Sequence, residues 1–168
     1  YLVTAEKEFM NCANYNLLKV ASFSSLTARQ FQIERASIAD PDWCEKKAHE
    51  ICKDAKSVKS VKVLKGKELV EQGMNLIWNV GRGATSEPRA IFMHYAGNEE
   101  SEEVELAIVG KGVTYDTGGL NIKVAGMEMM HGDKGGSAQV LAALEGCIKL
   151  GIKKNVVFAC GFAENACG

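Results

Sequence analysis

Between Val109 and Gly136 the chain reads VGKGVTYDTGGLNIKVAGMEMMHGDKGG, and four of its ionisable side chains could together do chemistry: Lys111, Asp116, Lys123 and Asp133. Aspartates supply hard oxygen donors of the kind that hold zinc, manganese or magnesium. Two divalent ions about 3.5–4 Å apart need a bridging carboxylate and several flanking ones. Asp116 and Asp133 are the candidates here. A lysine ligates a metal only as the neutral amine. A dication beside it strongly disfavours the ammonium form, so Lys111 can serve as a third ligand. Lys123, staying charged, can polarise a carbonyl or stabilise an oxyanion. Taken singly, each residue has an ordinary reading, with aspartates capping turns and lysines facing solvent. Their concentration in one glycine-rich stretch favours a site.

A phosphate cradle fits less well. Gly110-Lys111-Gly112 and Asp116-Thr117-Gly118-Gly119 lack both the GxxxxGK[ST] spacing and a GxGxxG that opens a helix. Two aspartates would also repel phosphate unless a metal intervened. A nucleotide-binding domain is therefore the weakest of the functional readings.

The elements that must position these residues follow from pattern. All 17 glycines lie from Gly66 onward, and eight of them fall between Gly110 and Gly136. Glycine at that density means unusual dihedrals, close approach to something, or both. The first 23 residues show weak periodicity and suggest one or two short elements. Ser24-Ser25 ahead of Leu26, Ala28, Gln30, Ile33 and Ala36 reads as a capped helix start. Asp40-Pro41-Asp42 breaks that helix and caps another over Trp43–Lys56, with Ala48, Ile51 and Cys52 on one face. The lysines at 53, 56, 59, 62 and 65 have no interleaved aromatics and read as a solvated face.

Beyond them the pattern alternates. Strands are expected over Val61–Leu64, Ala90–Tyr95, Val104–Val109 and Asn155–Phe162, with helices over Lys67–Asn79 and Gly135–Leu150. VELAIV is mostly apolar and reads as a strand buried on both faces. In the last helix Val140, Leu141, Leu144 and Ile148 form one stripe. The fold class is α/β, with a mixed, largely parallel central sheet flanked by helices. A strand running straight into the glycine-rich stretch places the site beyond its carboxyl end, where open α/β sheets bind ligands.

Composition closes other doors. The 168 residues carry 20 basic and 21 acidic side chains, for a formal charge of −1, so no basic field would attract nucleic acid. No apolar run approaches the roughly 20 residues that span a bilayer. The chain opens on Tyr1 and shows no signal segment, which suggests a processed chain or a piece of something longer. Six cysteines at 12, 44, 52, 147, 160 and 167 show no zinc-site spacing and are expected as reduced thiols.

VGKGVTYDTGGLNIK, MEMMHGDKGGSAQVLAAL and FAENACG together resemble the leucyl aminopeptidase (cytosol aminopeptidase) family of two-metal exopeptidases. GMNLIWNVGRGATSEPRAIFMHYAG resembles the family's upstream helix, turn and strand, so the likeness spans roughly residues 25–168. The resemblance implies that Lys111, Asp116 and Asp133 ligate metal, with Asp116 bridging the two ions. It implies that Lys123 is the catalytic lysine, polarising the scissile carbonyl. Met130 matches a methionine lining the pocket for the substrate's first side chain, though core packing suits it almost equally well. Also implied are two divalent ions (zinc or manganese, or magnesium), a peptide substrate cut at its N-terminal residue by a metal-activated water, a homo-oligomer (a hexamer) and a cytoplasmic setting. No nucleic-acid or membrane partner is expected. On this view residues 1–56 form an N-terminal or linker helical segment and 57–168 the N-terminal half of the catalytic domain.

There are departures. The family completes its metal site with a later Asp-Ala-Glu-Gly-Arg stretch that these 168 residues do not contain. The two carboxylates offset only −2 of the +4 on two dications. The chain alone is expected to be inactive and to bind metal weakly. The span from Lys123 to Asp133 is one residue shorter than the family's usual one, and His131, where the family has lysine or arginine, reads as a solvated loop residue. Lys134 replaces a methionine and would place a cation beside the site. These changes motivate an alternative, a noncatalytic family member acting as a scaffold or assembly protein.

Overall fold

The computed structural model describes residues 13–166. The first twelve residues, Cys12 among them, and Cys167 and Gly168 lie outside the described residues. So does the part of the expected N-terminal elements that falls on residues 1–12.

Helix α1 (Ala13–Ile33) runs straight through Ser24-Ser25 instead of starting there. The Ser25 hydroxyl donates to the Ala21 carbonyl one turn back, at 2.8 Å, so a residue that caps helices elsewhere is satisfied inside this one. Helix α2 (Pro41–Cys52) starts as its sequence dictates. Asp40 is the N-cap and accepts from the Trp43 N–H at 2.8 Å, and Pro41 takes the first turn. Strand β1 (Val58–Lys65) follows, with the lysines at 59, 62 and 65 exposed. The single helix expected over Lys67–Asn79 is two short ones, α3 (Lys67–Glu71) and α4 (Asn75–Gly81), parted by a turn in which Gly73 has φ 75°. Strand β2 (Arg89–Ala96), strand β3 (Leu106–Asp116), helix α5 (Gly135–Leu150) and strand β4 (Asn155–Asn165) complete the chain, with a short 3-10 turn at Met127–Gly132.

The sheet order is β1-β2-β4-β3. β1–β2 and β2–β4 are antiparallel, and β3–β4 is parallel, so the parallel share of this mixed sheet is confined to one pairing. That pairing is made by β3–α5–β4, the crossover that parallel neighbours require. Helices cover both faces. On one face Ile91, Met93, Tyr95, Phe158, Cys160 and Phe162 pack against Phe31 of α1, Cys44 and Ala48 of α2, and the apolar stripe of α5. On the other, Ala90 and Leu64 meet Leu69 of α3, with Ile77 and Trp78 of α4 against them. Buried Arg89 ties β2 to α2 by ion pairs with Asp42 (2.8 Å) and Glu45. Among the described residues, no helix is long and apolar enough to cross a membrane.

β3 departs from expectation in two ways. It is an edge strand among the described residues, with Leu106 53% and Val109 76% exposed, and not a strand buried on both faces. It also continues through Gly110-Lys111-Gly112 to Asp116, so Lys111 and Asp116 belong to the strand and not to a loop. The glycines at 110 and 136 explain this. A Cβ on Gly110 would lie 2.6 Å from the Gly136 carbonyl oxygen, and a Cβ on Gly136 would lie 2.8 Å from the Lys111 nitrogen. The first turn of α5 thus rests directly on the β3 backbone, and the Ser137 hydroxyl donates to the Gly110 carbonyl at 2.9 Å to fix the contact.

An alanine at Gly110 must force that contact apart, at a cost of about 1–3 kcal/mol. The Gly110→Ala variant should therefore unfold at a lower urea or thermal midpoint than the natural chain. An unchanged midpoint would mean that α5 and β3 are free to separate.

Candidate metal centre

Along a regular strand, residues five apart point to opposite faces. Lys111 and Asp116 escape that rule. In the parallel ladder Lys111 lies opposite Gly161, Val113 opposite Ala163, and Asp116 opposite Asn165, so three residues of β3 pass against two of β4. This one-residue irregularity reverses the alternation and brings Asp116 to the same side of the sheet as Lys111.

Asp116 sits at the carboxyl end of β3. Its Oδ1 accepts from the Gly118 N–H at 2.9 Å and from Asn165 Nδ2 at 2.7 Å. Its Oδ2 lies 3.3 Å from Lys123 Nζ. The turn between them depends on left-handed backbone at Gly118 (φ 92°) and Gly119 (φ 64°), which only glycine adopts without strain. The Lys123 N–H closes the loop on the Thr117 carbonyl at 2.9 Å. Partial burial raises the Asp116 pKa, but the hydrogen bonds from Asn165 and Gly118 and the Lys123 ammonium outweigh it, leaving the carboxyl below its ordinary value.

Asp133 follows the 3-10 turn and lies just ahead of α5. Lys111 Nζ spans its two oxygens at 3.0 and 2.9 Å. The Lys111 side chain is 61% exposed, which leaves it free to rearrange. Because α5 rests on the β3 backbone, Asp133, two residues before the helix, is brought beside Lys111 on the strand.

Lys134 does not add a cation to this site, as the sequence suggested. It is fully buried and turned away, donating to the carbonyls of His131 (2.6 Å), Glu34 (2.7 Å) and Gln32 (3.1 Å). The last two lie at the end of α1, where carbonyls lack intrahelical partners and the helix dipole is negative. Burial holds the Lys134 pKa below the usual lysine value. Gln32 reaches back to the Gly132 carbonyl at 3.4 Å, so α1 and the Met130–Asp133 turn are clasped from both sides. His131 is half-buried, its Nδ1 3.1 Å from the Glu128 carbonyl. Met130 is half-buried too and lines a shallow cavity of about 370 Å³ with Met129, Ile33 and Asp133. A cavity of about 740 Å³ between α1, α2 and α5 contains none of the four ionisable site residues.

The structure thus gathers Lys111 with Asp133 and Asp116 with Lys123, and sets Met130 on the turn ahead of Asp133. Asn165 is the residue that pattern reading passed over. It stands in FAENACG at the carboxyl end of a buried strand, but nothing in the sequence says that it faces Asp116. Among the described residues, no three histidine, cysteine or acidic side chains converge closely enough to hold an ion. The donors nevertheless suit a hard or borderline divalent cation, with two carboxylates and an amine, each carboxylate now balanced by a lysine ammonium that an ion could displace.

Residues 26–168 match the cytosol aminopeptidase family, catalytic domain. A probable cytosol aminopeptidase of Methylorubrum extorquens is 36% identical over 141 residues, covering 83% of this chain and 28% of that protein. One of Pseudomonas fluorescens is 38% identical over 130 residues, covering 77% and 26%. Among solved structures, the leucine aminopeptidase of Caenorhabditis elegans superposes with a TM-score of 0.85 at 29% identity, covering 94% of this chain and 32% of the other. The bottromycin maturation enzyme BotP in complex with Mn gives 0.81 at 29% identity, covering 97% and 34%. The chain therefore spans about a third or less of the length of these relatives.

Acid stability tests the Asp116 environment. Because its native carboxyl lies below the ordinary 3.8, the unfolded chain takes up this proton first as pH falls. The stability it contributes is complete above that ordinary value and is lost as pH drops through the lowered native one. Urea midpoints measured between about pH 3 and pH 6 should fall less steeply for Asp116→Asn than for the natural chain. Equal slopes would show that the hydrogen bonds to Asp116 do not favour its charged form.

Proposed function

The chain belongs to the cytosol aminopeptidase family, and we propose that it forms part of the catalytic domain of a metal-dependent enzyme that removes N-terminal residues from peptides. One observation carries this reading: both lysine–carboxylate pairs, Lys111–Asp133 and Lys123–Asp116, are held on β3 and the segment that follows it.

Two divalent ions, zinc or manganese or else magnesium, suit the donor set. When bound, they supply Lewis acidity toward water and the scissile carbonyl. Asp116 and Asp133 would hold them through oxygen and Lys111 through its neutral amine, which requires release of its proton and of its bond to Asp133. Freed from Asp116, Lys123 keeps its charge and turns it on the scissile carbonyl oxygen, where negative charge grows as the carbonyl is attacked. Met130 and the cavity beside it receive the first side chain of the peptide.

Two carboxylates leave two dications undercompensated. We place the remaining acidic ligands in sequence outside these 168 residues and expect the chain by itself to lack turnover. A hexameric assembly and a cytoplasmic setting belong to the same reading. A noncatalytic scaffold finds less support now that Lys134 is turned away from the site; what favours it still is the short span between Lys123 and Asp133.

In the complete protein, Lys123→Ala should lower kcat by about 100- to 1,000-fold while bound metal stays near the natural level. Asp116→Ala should lose metal and activity together. Full activity in the Lys123→Ala enzyme would remove its catalytic assignment. Turnover by the isolated 168-residue chain would show that its own ligands suffice.

A further inference from the structure

We propose that Asn165 is a positioning residue that decides which oxygen of Asp116 is offered to a divalent ion. This rests on the reading of Asp116 as a ligand and goes one step past it. The two aspartates are presented differently. Asp133 has both oxygens on the exposed Lys111 ammonium, so an ion that displaces this lysine meets either oxygen. Asp116 has one oxygen already committed. Its Oδ1 takes the Gly118 N–H and the Asn165 amide, at 2.9 and 2.7 Å, which fills the two lone-pair directions of a carboxylate oxygen. Only Oδ2 is left, facing an ammonium at 3.3 Å.

Asn165 is built to hold that arrangement. A carboxylate accepts only from the Nδ2 end of the side-chain amide, so the orientation of the amide is set by its partner. The amide oxygen then lies against Gly119, where a Cβ would come within 2.8 Å of it. The Asn165 main-chain carbonyl accepts from both the Thr117 N–H (3.0 Å) and the Thr117 hydroxyl (2.6 Å). These bonds lock the turn that leads from Asp116 to Lys123. The last register pair of the parallel ladder, Asp116 opposite Asn165, fixes the two residues side by side. Asp116 would therefore offer Oδ2, the oxygen not already taken by Gly118 and Asn165, to a divalent ion. Partners that orient a metal ligand in this way typically account for about 10- to 100-fold in metal affinity.

The test is a calorimetric titration of the complete apo-protein with Mn²⁺, comparing the natural protein with Asn165→Ala, Asn165→Ser and Asp116→Ala, alongside apo-protein melting curves. The expected result is a Mn²⁺ affinity weakened about 10- to 100-fold in both Asn165 variants, with apo melting close to natural. A merely structural role would lower the melting point and leave the affinity of the folded molecules unchanged, and that result would overturn the proposal. Unfolding of both Asn165 variants would overturn it too, since Asn165 would then be a folding residue. If Asp116→Ala binds Mn²⁺ as well as the natural protein, the reading of Asp116 as a ligand fails. If Asp116→Ala loses Mn²⁺ and the Asn165 variants do not, only the role of Asn165 fails.

Discussion

Everything at the candidate site depends on how closely one helix sits on one strand. The first turn of α5 lies on the backbone of β3 at Gly110 and Gly136, with no side chain between them and the Ser137 hydroxyl bonded across the contact. That approach brings Asp133, just before the helix, beside Lys111 on the strand. A bulkier residue at either glycine would lift the helix start away and part the ion pair. The burial of Phe158, Cys160 and Phe162 beneath α5 holds β4 in register, and β4 in turn supplies Asn165 to the end of β3.

The second constraint is electrostatic. In this structure each site carboxylate is balanced by a lysine, and the two pairs differ in exposure. Lys111 is mostly exposed and spans both oxygens of Asp133, whereas Lys123 is more buried and touches one oxygen of a carboxylate already anchored by Gly118 and Asn165. On the proposed reading a divalent cation would compete with both ammonium groups. Lys111 would surrender its proton to become a ligand, while Lys123 would only move aside. The same charge type would thus serve two ends, separated by surroundings.

Much of this was legible in the sequence. Asp40-Pro41 marks the start of α2, and the stripe of Val140, Leu141 and Leu144 marks α5, because capping and helical periodicity act locally. The candidate site was legible from residue type, since acids and lysines packed among glycines have few ordinary uses. What was hidden lies in direction and distance. Ser24-Ser25 looks like a cap but lies inside α1, where Ser25 bonds back to Ala21. Glycines 110 and 112 look like turn residues but lie within β3, because close approach and positive φ are written with the same letter. Lys134 looks like a cation for the site but is buried against the end of α1. The irregularity that puts Lys111 and Asp116 on one face leaves no mark in the sequence, and neither does the contact from Asn165 to Asp116.

Whether these residues hold a divalent ion is read directly by anomalous diffraction at the manganese edge from crystals of the complete protein grown with Mn²⁺. Anomalous density is expected within coordination distance of Asp116 Oδ2, an Asp133 oxygen and Lys111 Nζ, with Lys123 displaced from Asp116. Manganese found elsewhere, with both lysine–carboxylate pairs intact as they stand here, would contradict the proposed reading.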